Sequence, residues 1–208
     1  MDPLNLRVRI LALEEAVFKL SRDYTARLDF AFRFAGGKVI DKLTTLILYN
    51  SPSTRVNPPV VALNDDIRVG NCWPTHPSSQ LGISLAARVQ VSHITVDHIA
   101  KELVPSTKQA PREVIVWGVI DSMNSQYLHE LENNLTETIA SLPRPNPLIT
   151  GNRHLLPIAF LSYNISSFDD IQTFPIFDSV SKTPIVFSEI IADLVNNWGH
   201  ETTCLYRV

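Results

Sequence analysis

Apolar positions from Leu4 to Phe34 recur with the period of a helix. Leu6, Ile10, Leu13, Val17, Leu20 and Tyr24 follow spacings of four and three in turn, the seam of a coiled coil. Leu4, Leu11 and Phe18 add a second stripe at intervals of seven. A face that wide covers more than one neighbour, either partner helices or the body of a domain. Gly36 and Gly37 follow, and glycine is the usual stop after a last helical turn. Residues 1–35 are therefore expected as an N-terminal helix, either the end of a coiled coil or an inhibitory helix folded onto its own domain.

Beyond the glycines the pattern shifts to short β-type runs. "KVIDKLTTLILY", "PPVVALN", "ISLAARVQVSHITVDHI" and "REVIVWGVI" are rich in Val, Ile, Thr and Leu, and parts of them alternate. Clusters of Pro, Asn and Ser separate them, as in "NSPSTRVNPP" and "VPSTKQAP". Short strands with frequent turns and no regular helical spacers predict a mainly β fold, an antiparallel β-sandwich over residues 36–208. One helix interrupts it: in "QYLHELENNLTETIASL", Leu128, Leu131, Leu135 and Ile139 share a face. That helix and the Pro-rich "PRPNPLITGNRH" after it are expected as a surface insertion at about 121–152.

Composition changes this picture little. Apolar residues make up 45% of the 208 and charged ones 19%, enough to bury a core and too apolar for global disorder. A net charge of −3 argues against an electrostatic footprint for nucleic acid. No apolar run approaches the roughly 20 residues that span a bilayer. "MDPLNLRVRI" has no uninterrupted apolar core and no cleavage site, so it is not read as a signal peptide. The expectation is a cytosolic protein or a soluble piece of a larger one.

Candidate chemistry is sparse. There is no G-x-S-x-G elbow, no H-E-x-x-H and no P-loop, and the six histidines show no metal-ligand spacing. No enzyme activity is expected. The two cysteines are Cys72 in "VGNCWP" and Cys204 in "TTCLYRV". Two buried thiols are one reading. A disulfide tying the terminus to the domain is another; it would close a loop of about 130 residues and imply an oxidising compartment. Cys72 and His76 lack the second ligand pair that zinc requires. Two sequons, Asn134-Leu135-Thr136 and Asn164-Ile165-Ser166, fit a lumenal setting.

Four segments in fixed order carry a resemblance: "DFAFRFAGGKVI", "DDIRVGNCWP", "ITVDHIAKELVPSTKQAPREVIVWG" and "NNWGHETTCLYRV". Together they resemble the SUN domain, the lumenal C-terminal domain of inner nuclear membrane proteins, in a fungal or divergent form. The likeness runs from about Leu20 to Val208, interrupted at about 121–152. It implies a jelly-roll-like sandwich and a Cys72–Cys204 disulfide. It implies a loop whose backbone carbonyls hold a monovalent cation, K+ or Na+, at Val61, Asn64, Asp66 and Asn71. Gly70 would supply its tight turn.

The same resemblance implies a partner. His98 and Tyr206 match positions that receive the last residues of a KASH peptide, the lumenal C-terminus of an outer nuclear membrane protein, with Gln109 and Thr202 beside them. A histidine and a phenol offer donors for its carboxylate. Thr202 stands where the family's carboxylate pocket has another tyrosine. The stretch from Lys42 to Pro59 matches the lid that adds a strand to the peptide, and its Thr44 and Thr45 are expected to bind the peptide as well. It is shorter than in animal members and carries Pro52, Pro58 and Pro59. Thr44 replaces a lid cysteine that bonds covalently to the partner in some members, so no such bond is expected. The implied function is a tethering receptor in the perinuclear space, the part of a nucleus–cytoskeleton linker (LINC) complex that binds KASH proteins. It would be a homotrimer or an autoinhibited monomer, from a parent anchored in the membrane outside this chain. The alternative is a glycan-binding or folding-associated module of the endoplasmic reticulum.

Overall fold

Central strands of this protein are apolar on both sides, because the main sheet is covered on both faces. The computed structural model describes residues 27–45, 56–121 and 125–208. Its first layer is a five-stranded antiparallel sheet in the order β1-β3-β8-β5-β6. These strands are β1 (Lys38–Val39), β3 (Ser79–Val89), β5 (Pro111–Ile120), β6 (His154–Ser162) and β8 (Phe187–Asn197). In β5, Val114 and Val116 enter the main core, while Ile115, Trp117 and Val119 form a second cluster with Leu43 and Ile191. That is why "EVIVWGVI" reads as a continuous apolar run. Gly118 leaves room for the ring of Phe187, which a Cβ would approach to 2.2 Å.

The second layer is made of two ribbons. β2 (Trp73–Thr75) pairs with β9 (Thr203–Leu205), and β4 (His93–Asp97) with β7 (Ile171–Pro175). One antiparallel bridge, Asp97 with Arg207, joins the ribbons where the chain runs on from β9. Trp73, Val96, Leu205 and Phe174 pack from this layer into the main core. The sandwich expected over the chain is therefore the fold observed.

The helix α1 (Ser125–Ser141) forms where the leucine spacing places it. It was expected on the surface, yet Leu131 and Leu135 are fully buried in the main core, with Tyr127 and Ile139 packed against them; the Leu128 side chain lies outside the described residues. The short helix α2 (Asp178–Ser181) contributes the buried Val180 to the same cluster. Leu135→Ala should accordingly cost about 3 kcal/mol of stability, the loss typical of a buried leucine. Denaturant unfolding measures it, and a change near zero would return α1 to the periphery.

The N-terminal helix is corrected at its end. Residues 1–26, with the coiled-coil seam, lie outside the described residues. Residues 27–34 are not α-helical: only Arg33–Ala35 make a single 3-10 turn. The Asp29 carboxylate accepts the N–H groups of Ala31 (2.8 Å) and Phe32 (3.0 Å), a local alternative to helical bonding. The Phe30 carbonyl accepts from Ala86 on β3 (2.8 Å). Asp29 also pairs with Arg207 at 2.8 Å, so this segment is part of the sandwich rather than of a helix leading to it.

Candidate functional site

The C-terminal segment would fray in most proteins; here its own turn holds it. Asn197, buried at the end of β8, donates its amide to the carbonyls of His200 (2.9 Å) and Thr202 (3.1 Å) and to the Thr203 hydroxyl (3.1 Å). Its Oδ1 accepts the N–H groups of Gly199 (2.9 Å) and His200 (3.1 Å). Gly199 takes a φ of +93° to close the turn. β9 then alternates: Thr203 and Leu205 are buried in the sandwich, which turns Thr202, Cys204 and Tyr206 to the opposite face. The Val208 N–H ends on the Ala62 carbonyl at 3.1 Å.

Cys72 and Cys204 are disulfide-bonded with Cα atoms 5.4 Å apart. The bond stands at the edge of a small cluster of Cys72, Ile99 and Tyr206, flanked by Ile67 and Val104. The Asp97–Arg207 bridge sets the next pair. Since the strands run antiparallel, His98 and Tyr206 become neighbours across it, with ring centroids 5.0 Å apart and edge to face. Tyr163, just after β6, has its ring 6.0 Å from His98, and its hydroxyl donates to the Asp170 carbonyl at 2.8 Å. No sequence pattern marked Tyr163 or Asp170, since both come from a loop far along the chain.

His98 is 4% exposed. Its Nδ1 lies 3.1 Å from the Ile99 carbonyl, an oxygen that only accepts, so Nδ1 carries the proton. Nε2 is buried and has no partner among the described residues. Burial pushes the imidazole pKa below its usual value, opposed by the Ile99 bond and by Asp170. The neutral ring thus presents a bare nitrogen, which becomes a donor only on taking up a proton. The Tyr206 oxygen accepts the Gly70 N–H at 3.3 Å, leaving its own O–H free to donate.

Gln109 and Thr202 also come together. Gln109 Nε2 donates to Thr202 Oγ1 at 3.3 Å, with His200 Nδ1 3.4 Å away, and the Gln109 carbonyl accepts the Cys204 N–H at 2.8 Å. His200 joins this polar group without having been expected there. Thr44 and Thr45 belong elsewhere. Thr44 is buried, donating to the Ile40 carbonyl (2.8 Å) and accepting the Gly82 N–H (3.1 Å). Thr45 Oγ1 accepts the Gln80 N–H at 2.9 Å. Both hydroxyls tie this stretch to β3 of the main sheet; of the expected lid, Lys42 to Pro59, residues 46–55 lie outside the described residues.

The 61–71 loop starts from a 3-10 turn, Pro59–Leu63. The Val61 carbonyl accepts the Asn64 N–H (3.1 Å) and the Asp66 carbonyl the Asn71 side chain (2.7 Å). Gly70 turns the chain at a φ of +79°. Asn57 donates to the carbonyls of Gly70 (2.8 Å) and Cys72 (3.1 Å) from outside. The Asp66 side chain is paired with Arg68, whose hydrogen bond holds the carboxyl below its ordinary pKa. Asn64 Oδ1 is buried without a partner among the described residues. Among the described residues no cluster of three or more His, Cys, Asp or Glu occurs.

Known proteins resemble the chain as follows. The Sad1 / UNC-like C-terminal family profile matches residues 53–142. The chain is 27% identical over 201 residues to SUN domain-containing protein 5 of Mus musculus, covering 89% of this chain and 44% of that protein. It is 25% identical over 206 residues to SUN domain-containing protein 3 of Macaca fascicularis, covering 91% and 47%. The chain therefore spans less than half the length of these curated relatives. Among solved structures, the family 32 carbohydrate-binding module of Streptococcus pneumoniae EndoD is similar with a TM-score of 0.52, 13% identity, and coverage of 83% of this chain and 92% of that one. At that identity the likeness is one of fold alone.

Proposed function

We propose that this chain, which carries a SUN domain, is a tethering receptor of the nuclear envelope that binds the C-terminal peptide of KASH proteins in the perinuclear space. The observation that carries the reading is the buried His98, its Nε2 without a partner among the described residues, set edge to face against Tyr206. A buried polar atom without a partner costs about 1–3 kcal/mol, so a ligand that satisfies it gains from doing so. The disulfide supports a lumenal, oxidising setting. In this reading the peptide lies along the face that carries Thr202, Cys204 and Tyr206. Tyr206 donates its O–H and the Gln109–Thr202 pair its hydrogens to the terminal carboxylate. A K+ or Na+ ion in the 61–71 loop would take Asn64 Oδ1 and the backbone carbonyls of Val61, Asp66 and Asn71, stiffening the loop that contacts Tyr206. Residues 1–26, if they associate as a coiled coil, would link three sites and raise avidity. The function is binding, not catalysis.

Because His98 Nε2 must acquire a proton to meet a carboxylate, binding is coupled to proton uptake. A bound carboxylate raises the His98 pKa from its depressed value, so affinity rises as pH falls from above the ordinary histidine range to below it. Fluorescence titration with a labelled KASH C-terminal peptide tests this. His98→Ala and Tyr206→Ala should each weaken binding by about tenfold, the equivalent of 1.4 kcal/mol. His98→Ala should also remove the pH dependence, and an amidated peptide should bind as poorly as the variants. Equal binding of amide and free acid would refute the carboxylate pocket and favour a glycan ligand.

A further inference from the structure

The two N-x-S/T triplets of this chain meet opposite fates in the fold. We propose that Asn164, rather than Asn134, is the acceptor of an N-linked glycan. Asn164 follows β6 at the start of a turn, and both it and Ser166 are exposed. Its Oδ1 accepts the Ser166 N–H at 2.9 Å, folding the carboxamide back over the residue two places on. The carboxamide that must react is thus held against the backbone of Ser166, the residue whose hydroxyl completes the triplet. Behind them the stem is fixed: the Asn164 N–H donates to Gln172 Oε1 (3.0 Å) and its carbonyl accepts from Gln172 Nε2 (2.8 Å). The tip stands clear of the body, with Phe168 93% exposed.

Asn134 is exposed too, but it lies inside α1. Residues two apart on a helix do not face each other, and the Thr136 hydroxyl is already bonded to the Glu132 carbonyl at 2.9 Å. Bringing it beside the Asn134 amide means unwinding the helix and drawing Leu135 out of the core, where it is fully buried. Helix and turn are both local structures that form in microseconds, far faster than the chain is synthesised. Each therefore competes with or assists the transferring enzyme as the segment emerges.

In the transfer, the Asn164 carboxamide nitrogen bonds to the anomeric carbon of an oligosaccharide carried on a lipid pyrophosphate. The carbon–oxygen bond to the pyrophosphate breaks, the lipid pyrophosphate leaves, and the nitrogen gives one proton to a base of the transferase. The resulting glycan stands on the rim of a small cavity that His98, Thr107 and Tyr163 also line.

Occupancy in the native protein rests on the lumenal reading above, whereas acceptor geometry does not. The full chain behind a secretory signal in cultured cells, analysed by mass and peptide mapping after enzymatic deglycosylation, tests the geometry. One glycan is expected, on Asn164. It should persist in N134Q and disappear in both N164Q and S166A, the second of which keeps the backbone turn while removing the hydroxyl. Unmodified Asn164 in the secreted, disulfide-bonded chain overturns the assignment, as does Asn134 occupied to an equal or greater share. Carbohydrate on the secreted chain but none on the protein from native membranes upholds the acceptor assignment and removes the lumenal reading instead.

Discussion

Replacing Cys72 and Cys204 together by Ser should lower the unfolding free energy by roughly 5 kcal/mol. The two are 132 positions apart, so almost two-thirds of the chain lies inside the closed loop, and chain entropy in the unfolded state scales with that length. The native state loses more than a constraint. Without the bond, Tyr206, the Val208–Ala62 hydrogen bond and the Arg207 pairs with Asp29 (2.8 Å) and Asp97 (3.5 Å) depend on a three-residue strand and the turn built on Asn197 before it. Partial release of that strand would separate His98 from Tyr206 before the sandwich itself unfolds. Guanidinium unfolding of the oxidised protein and of the double variant gives the magnitude. A difference below about 1 kcal/mol would show that the turn built on Asn197 holds the terminus unaided.

Asp193→Asn should flatten a pH dependence worth roughly 3 kcal/mol. Asp193 sits in the middle of β8, fully buried beneath the sheet's second cluster. Its Oδ2 receives Arg144 Nε and Trp117 Nε1, each at 3.3 Å, while Oδ1 has no partner among the described residues. Two long contacts on one oxygen do not replace the lost hydration, so burial prevails and pushes the carboxyl up to about 6 from an ordinary 3.8. A folded-state pKa above the unfolded one means that the folded protein binds the proton more tightly. Stability from this group is fully present below about pH 4 and is lost as pH rises through about 6. Asn mimics the protonated form, so the variant keeps that stability at neutral pH. Denaturation of both proteins from pH 4.5 to 7.5 isolates the group, since the other shifted residues are common to both. Parallel curves would show that Asp193 titrates normally and that the Arg144 pair is stronger than its distance suggests.

Much of the sandwich was readable because strand and turn preferences are local. "REVIVWGVI" reads as a strand from its own residues, since β-branched residues suit an extended backbone and Pro-rich stretches interrupt it. The alternation of Thr202, Cys204 and Tyr206 against Thr203 and Leu205 follows from the period of a strand alone. The cysteine pairing was different. Composition left free thiols and a disulfide both open, and only the resemblance chose between them, because nothing in the spacing shows where Cys72 lies relative to Cys204.

The helical pattern was right for α1 and wrong for residues 27–34. A periodic apolar stripe shows that a face will be covered, not what covers it. Asp29 lies past the last striped position, Tyr24, and there a side-chain cap and a hydrogen bond from β3 replace helical bonding; in α1 the striped face is core and the opposite face stays exposed. Tertiary structure alone set His98 beside Tyr206, through one bridge between residues 110 positions apart. It alone left Asp193 charged among apolar neighbours, where the sequence shows merely an acid in an alternating strand. The sequence by itself determined which segments extend, turn and coil, because those choices are made within a few residues. The partners and pKa values of the site's side chains depend on burial, and burial is decided only when distant segments meet.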